Sequence, residues 1–101
     1  MSVVIMTRFE VDASAIQDLT GKHADTMRRI ADIAKSNGAI HHQFIQDPDG
    51  PLIALDEWED EEAFHRFFDQ QDDIKAIMAE AHLAAPPVST TYQEVEVPDR
   101  F

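Results

Sequence analysis

Two histidines are the side chains of this sequence best suited to act as a general base. His23 lies within the apolar stripe of the first predicted helix, so we expect it to point at the sheet. General-base catalysis requires an imidazole that is neutral near pH 7 and within reach of a substrate proton. The alternative is a core histidine that hydrogen-bonds a strand side chain.

His42 is the second candidate base. His41 and His42 point to opposite faces of the second predicted strand, and Ile40 and Phe44 favour His42 on the side that faces the helices. His23 and His42 can then share one pocket. Two histidines can also bind a metal, but no third ligand follows at a recognised spacing, so we expect no metal.

Asp56 and Tyr92 are candidate polar anchors for a substrate. Asp56 should project on the same strand face as Trp58. A buried carboxylate there needs a partner, and a histidine that it orients is the natural one. Alternatively, strand parity or a bulge sends Asp56 to a dimer interface, against Arg8. Tyr92, on the last predicted strand, can donate to a substrate oxygen or pack at the sheet edge.

An aromatic cluster is predicted where the third strand meets the second helix. Trp58 ends the strand, and Phe64, Phe67 and Phe68 share one face of the helix that follows. This junction can hold an apolar pocket with Trp58 and Phe67 as its aromatic wall. Plain hydrophobic core is the commoner outcome for four aromatic residues at such spacing.

Hydrophobic periodicity predicts that residues 1–101 form a single domain, with a core over about 2–97 and a tail over 98–101. The first helix follows a cap at Asp12 or Ser14 and ends at Gly38, with Gly21 as a point of bending or of close approach. The second helix begins after Asp60 and breaks around residues 69–71. It restarts with Asp72 as a cap and runs to residue 83. The predicted strands cover residues 3–9, 39–47, 52–58 and 88–97.

This order of elements predicts a fold of the α+β class. Right-handed crossovers give the ferredoxin-like βαββαβ arrangement, a four-stranded antiparallel sheet with both helices on one side. The other face then carries one of two pairs from the first strand, either Val4 and Met6 or Val3 and Ile5. It also carries Ile53 and Leu55 or their neighbours. An exposed apolar face predicts a partner, and a second copy related by a twofold axis is the simplest one.

Composition excludes several classes of partner. The formal charge is −12, and nine acids between Asp56 and Asp73 face one base, Arg66, so nucleic acid and anionic membranes would be repelled. The sequence has no cysteine, and we find no nucleotide-binding motif. It shows neither a signal-peptide pattern nor a membrane-spanning segment, so we expect a cytoplasmic protein.

The motif EWED at 57–60, followed by EAF at 62–64, resembles the antibiotic biosynthesis monooxygenase-like family of dimeric α/β barrels. The hairpin before this motif and the strand after Pro87 agree in order, so the resemblance covers residues 2–97. It implies a ligand pocket between sheet and helices, and Trp58 matches the strand-end tryptophan of the family's cofactor-free oxygenases. Ala54 stands where those oxygenases have an asparagine. Haem-degrading members carry asparagine, tryptophan and histidine where this chain has Thr7, Phe67 and Ile77 or Met78.

The resemblance and the candidate residues together lead us to expect a cofactor-independent monooxygenase-like homodimer that acts on an aromatic or quinol-type molecule. His23 or His42 would be the base, and Tyr92 or Asp56 the polar anchor. The same base can instead serve an isomerase or cyclase. A different class of function is also open, that of a non-catalytic, small-molecule-binding or stress-related dimer.

Overall fold

The computed structural model describes residues 2–101 and contains one antiparallel sheet with four helices. The strands pair in the order β2-β3-β1-β4. The predicted ferredoxin-like α+β fold is therefore confirmed. In chain order the elements are β1 (Val3–Phe9), α1 (Ala13–Lys22), α2 (Ala24–Ser36), β2 (Ala39–Gln46), β3 (Leu52–Trp58), α3 (Glu61–Asp69), α4 (Asp72–Ala79) and β4 (Val88–Gln93).

Alternation along β1 and β3 gives the sheet its helix-covered face. Val3 lies opposite Trp58 and Phe9 lies opposite Leu52, so these pairs mark the two ends of the covered face. Two hydrophobic clusters form there, one at each end. The first cluster contains Val3, Ile5, Ile30, Trp58, Ala63 and Phe67, and the second contains Phe9, Ile16, Leu52 and Ala54.

The opposite face of the sheet carries apolar side chains that neither cluster covers. Val4 lies opposite Glu57, and Met6 lies opposite Leu55. Of the two predicted pairs from the first strand, it is therefore Val4 and Met6 that lie on this face. Val88 and Tyr92 extend this face on β4, where both are largely exposed. We call this side the uncovered face.

Local signals fix the ends of several elements. The Ala63 N–H donates to Asp60 Oδ1 at 2.7 Å, so Asp60 caps α3 as predicted. Gly38 has φ +107°, which is the left-handed conformation expected beyond α2. In the hairpin turn, the Asp49 N–H donates to Asp47 Oδ1 at 3.0 Å.

Several predicted boundaries are wrong. Asp72 was predicted as the cap of α4, but it is the first residue of that helix, and Gln71 precedes it. The first helix is two helices, because the backbone at His23 leaves helical geometry two residues after Gly21. A Cβ at Gly21 would meet no atom within 4 Å, so Gly21 weakens the helix there and does not permit a close approach. The helix after Gln71 ends at Ala79, and β4 ends at Gln93. None of the described helices is long and apolar enough to cross a bilayer.

The cap at Asp60 gives a stability prediction. Asp60→Ala removes the acceptor of the Ala63 N–H and should lower the free energy of unfolding by about 1 kcal/mol, measured by urea denaturation. Gln71, the residue before α4, makes no side-chain cap bond, so Gln71→Ala is the matched control and should change it by less than about 0.5 kcal/mol. Equal losses in both variants would contradict this account of the cap.

Candidate functional site

A histidine–aspartate pair lies on the helix-covered face. His42 on β2 is directly opposite Asp56 on β3, and its Nδ1 lies 2.5 Å from Asp56 Oδ1. The Asp56 side chain is 16% exposed and the His42 side chain is 50% exposed. The structure thus confirms that Asp56 shares a face with Trp58 and that a histidine is its partner. His42 also lies on the side expected for it.

The pair has a defined protonation pattern. The hydrogen bond with Asp56 raises the pKa of His42 above its ordinary value of 6.5, and the charge of Asp56 adds to this, while partial burial of the imidazole opposes it. When the imidazole is neutral, its Nδ1–H donates to Asp56 and Nε2 is left as the free acceptor. The geometry therefore orients Nε2 of His42 for proton transfer.

Two hydroxyl groups lie on the same face of the sheet as this pair. Thr7 on β1 lies opposite Ser89 on β4 and opposite Ala54 on β3, and the two hydroxyl oxygens are 2.8 Å apart. This hydroxyl pair was not predicted from the sequence. The parity of Thr7 with Ile5 could have indicated it, but the role of Ser89 depends on the register of β4.

The His42 ring is supported by an aromatic neighbour. Phe44 follows His42 on the same face of β2, and the two rings meet edge to face at 5.2 Å and 80°. Phe44 packs in turn against the second hydrophobic cluster, with Phe9 at 6.3 Å. The base is therefore held on one side by a carboxylate and on the other by the core.

Trp58 is a core residue with one unusual atom. It is 3% exposed, and its ring lies 5.1 Å from that of Phe67 and 5.8 Å from that of Phe64. The space beside the indole is filled by phenylalanines, as the core alternative predicted. Trp58 Nε1 is nevertheless buried without a hydrogen-bond partner. An unpaired buried donor costs about 1–3 kcal/mol, so this N–H lacks the partner that a buried donor normally has.

The expectation that His23 points at the sheet is wrong. It lies at the break between α1 and α2, and its Nε2 is 2.8 Å from Glu80 Oε2, beyond the end of α4. Lys22 Nζ donates to the other oxygen of the same carboxylate at 3.1 Å. The break turns the imidazole away from the phase of the apolar stripe. His23 and His42 thus bind different carboxylates and are not brought together.

Tyr92 also lies away from the His42–Asp56 pair. It is opposite Val4, on the uncovered face, whereas Asp56 is on the covered one. The parity of β4 explains this, because residues 89, 91 and 93 face the helices. His65 is exposed and pairs with Glu61 four residues earlier on α3.

Two surface depressions of the described chain lie elsewhere. One, of about 450 Å³, is lined by Ser2, Ile40, Glu57, Glu59, Glu94 and Arg100. The other, of about 250 Å³, surrounds His23. Neither is bordered by His42 or Trp58. Within residues 2–101, no three histidine or acidic side chains are arranged to hold a metal ion.

The raised pKa of His42 gives a titration prediction. In Asp56→Asn the pKa of His42, followed by NMR of its ring protons, should fall toward or below 6.5, because the hydrogen bond to a carboxylate is lost while burial stays. Glu61→Gln, which alters the exposed partner of His65, is the control and should leave the titration of His42 unchanged. An unchanged pKa in Asp56→Asn would contradict the pairing.

The same shift makes the stability of the fold depend on pH. The pKa of His42 is higher in the folded chain than in the unfolded chain, so the pair stabilises the fold fully below about pH 6.5. This stabilisation is lost as the pH rises through the pKa that His42 has in the folded chain. The wild type should therefore exceed Asp56→Asn in free energy of unfolding most in mild acid, with the difference narrowing above neutrality.

No protein-family model matches the sequence, and no curated protein matches it. Solved structures do match the fold. SnoaB, a cofactor-independent oxygenase from Streptomyces nogalater, aligns with a TM-score of 0.66 at 16% identity, covering 98% of each chain. The ActVA-Orf6 monooxygenase of Streptomyces coelicolor, solved with the ligand nanaomycin D, aligns with a TM-score of 0.67 at 19% identity, covering 97% of this chain and 92% of that one.

A third solved structure extends the comparison beyond Streptomyces. A candidate antibiotic biosynthesis monooxygenase from Caulobacter crescentus aligns with a TM-score of 0.69 at 18% identity. The alignment covers 94% of this chain and 91% of that one. The resemblance that the sequence indicated is thus confirmed for the architecture: this chain has the fold of the antibiotic biosynthesis monooxygenase-like proteins.

Proposed function

We propose that this protein is a small cofactor-independent monooxygenase that acts on an aromatic, quinol-type or anthrone-type molecule. The observation that carries the proposal is the hydrogen bond between His42 and Asp56, which orients a base on the helix-covered face. The solved oxygenases that share the fold support the same class of reaction. His42 replaces His23 as the assigned base, because His23 is engaged with Glu80 outside this site.

The first step in this proposal is removal of a proton from the substrate. His42 Nε2 takes the proton of a phenolic or enolic hydroxyl, and Asp56 stabilises the imidazolium that forms. Asp56 acts as the group that holds the ring in place, as a carboxylate does behind a catalytic histidine in other enzymes. The product is an electron-rich aryloxide or enolate that can react with oxygen directly.

Dioxygen supplies the oxidising equivalents. The substrate anion transfers one electron to O₂, and the resulting radical pair combines into a carbon–oxygen bond that carries a peroxide. The imidazolium returns its proton to the distal oxygen. Loss of the remaining C–H proton and cleavage of the O–O bond release water and leave a new carbonyl. For an anthrone, CH₂ and O₂ give C=O and H₂O, so atoms and electrons balance.

The dimensions of the covered face suit a fused aromatic ring system. Asp56 and Trp58 are two residues apart on one strand face, so their Cα atoms are separated by about 7 Å. In the proposal the unpaired N–H of Trp58 donates to a substrate oxygen at one end while His42 acts at the other. Phe64 and Phe68 stack at 5.7 Å and 28°, and Phe68 is exposed. The proposal requires that these rings rotate to open the indole to the ligand.

We also propose that the functional form is a cytoplasmic homodimer. The uncovered face presents Val4, Met6, Leu55, Val88 and Tyr92, and a second copy related by a twofold axis would remove these side chains from water. Tyr92 then belongs to the contact between the two copies, and the anchor role considered for it passes to the N–H of Trp58.

Replacement of the base is the direct test of the proposed function. With anthrone and naphthohydroquinone substrates under air, His42→Gln should lower kcat by about 100-fold or more, which is the range that general-base catalysis contributes. Oxygen uptake and quinone absorbance measure the rate. His65→Gln, an exposed histidine in a similar carboxylate pair, is the matched control and should keep the wild-type rate.

The outcome also separates the alternatives. A wild-type rate in His42→Gln would remove His42 from the role of base. Product formed equally under nitrogen, with no oxygen uptake, would instead indicate an isomerase or cyclase that uses the same base. Saturable binding of the aromatic ligands without any turnover would favour a non-catalytic binding protein.

Trp58→Phe tests the proposed donor. This variant keeps an aromatic ring but removes the unpaired N–H, so kcat/KM should fall by about tenfold, the equivalent of one hydrogen bond. The free energy of unfolding, measured by urea denaturation, should change only through altered packing, since the folded chain makes no hydrogen bond with this atom. Phe64→Leu disturbs the same cluster but retains the N–H, and a fall in kcat/KM as large as that of Trp58→Phe would argue against the donor role.

A further inference from the structure

One end of the uncovered face carries an acidic pair that is held by the C-terminal tail. Glu57 lies opposite Val4, and the Glu94 N–H donates to the Ser2 carbonyl at 3.0 Å, which continues the ladder between β1 and β4. By strand parity Ser2, Glu57 and Glu94 therefore share the uncovered face. The chain turns after Val97, where the Arg100 N–H donates to the Val97 carbonyl at 3.3 Å, and Arg100 comes back to this corner.

Four contacts join these residues into one cluster. The Ser2 hydroxyl oxygen lies 2.6 Å from Glu57 Oε2 and 2.5 Å from Glu94 Oε2. Arg100 Nη2 lies 3.3 Å from the same oxygen of Glu57 and 2.9 Å from that of Glu94. The two glutamate side chains are only 20% and 15% exposed, respectively. Arg100 thus bridges two carboxylate oxygens that also converge on one serine.

The Ser2 hydroxyl alone cannot satisfy both carboxylates. A hydroxyl has one hydrogen, so Ser2 can donate to only one of the two carboxylates at a time. The second carboxylate then faces a like charge and the lone pairs of the serine. Arg100 contacts both oxygens and lowers the net charge of the two carboxylates and the guanidinium from −2 to −1. Removing Arg100 would take away the cation that contacts both of these largely buried carboxylates.

The location of the cluster links it to the proposed homodimer. It adjoins an apolar surface that includes Val4 and Tyr92, and the tail adds exposed Val95 and Val97. Two copies of a chain with a formal charge of −12 repel each other, so they can meet only where the surface is apolar and locally close to neutral. Closing this face would remove water from Glu57 and Glu94, which is costly for unpaired carboxylates.

We propose that Arg100 is a clamp that lowers the negative charge of the acidic pair and so allows a second copy of this chain to dock on the uncovered face. The inference rests on the homodimer in the proposed function. The tail over residues 98–101, with Arg100 in place, forms part of the surface that a second copy meets. Docking of the tail and pairing of the two copies are then coupled, because both favour the state in which Arg100 contacts Glu57 and Glu94.

Sedimentation velocity over a concentration series tests the clamp. Arg100→Ala should raise the dimer dissociation constant by about 10- to 100-fold, the range seen when one partner of a buried charged contact is removed. Arg28→Ala, which breaks an exposed pair with Asp25 on α2, is the matched control and should leave the constant unchanged. Circular dichroism verifies that both variants are folded.

A charge-rescue variant distinguishes neutralisation from a general disturbance of the tail. In the Arg100→Ala background, the changes Glu57→Gln and Glu94→Gln remove both negative charges and should return the dissociation constant to within a few-fold of wild type. A weak dimer that these changes do not rescue would overturn the clamp, as would a dimer of wild-type strength in Arg100→Ala.

The oligomeric state and the turnover assays test the clamp and the proposed function separately. If the wild type is a dimer and Arg100→Ala dimerises equally well, the clamp is wrong while the oxygenase and its dimer stand. If the wild type is a monomer at every concentration, both the dimer and the clamp are wrong, while the turnover assays still decide the role of His42.

Discussion

The pairing of the central strand β1 with both β3 and β4 determines which side chains face the helices and which face outward. Ile5, the most deeply buried side chain of the sheet, lies opposite Asp56, and Met6 lies opposite Leu55 on the other side. A slip of one residue would exchange the two faces and expose the core. The two hydrophobic clusters, the His42–Asp56 pair and the uncovered face all follow from this one register.

The candidate site occupies the part of the covered face that lies between the two hydrophobic clusters. The second cluster ends at Ala54, and the first resumes at Trp58, so Asp56 lies between two apolar groups. A carboxylate in that position loses hydration, and the hydrogen bond from His42 compensates for part of the loss. The unpaired N–H of Trp58 is a second departure from good packing in the same region. Departures of this kind concentrate at functional sites because function, and not stability, retains them there.

The carboxylates on the two faces of the sheet have different kinds of partner. On the covered side, Asp56 is matched by a histidine whose pKa it raises through their hydrogen bond, so the pair remains able to exchange a proton. On the uncovered side, Glu57 and Glu94 share the guanidinium of Arg100. The first arrangement suits chemistry, and the second suits a contact surface. Glu61 and Glu62, in contrast, are solvated and stabilise the start of α3 through the helix dipole.

The sequence by itself determined the elements and their order, because alternation, helical periodicity and capping are encoded in neighbouring residues. The strand β1, the cap at Asp60 and the left-handed Gly38 were all readable in this way. It also indicated that Asp56 would need a histidine. Only the tertiary structure decided that this histidine is His42, since the choice depends on the register between β2 and β3. The helix break that takes His23 to Glu80, the exposed face of Tyr92 and the bridge from Arg100 join residues distant in the chain, and no local pattern specifies such contacts.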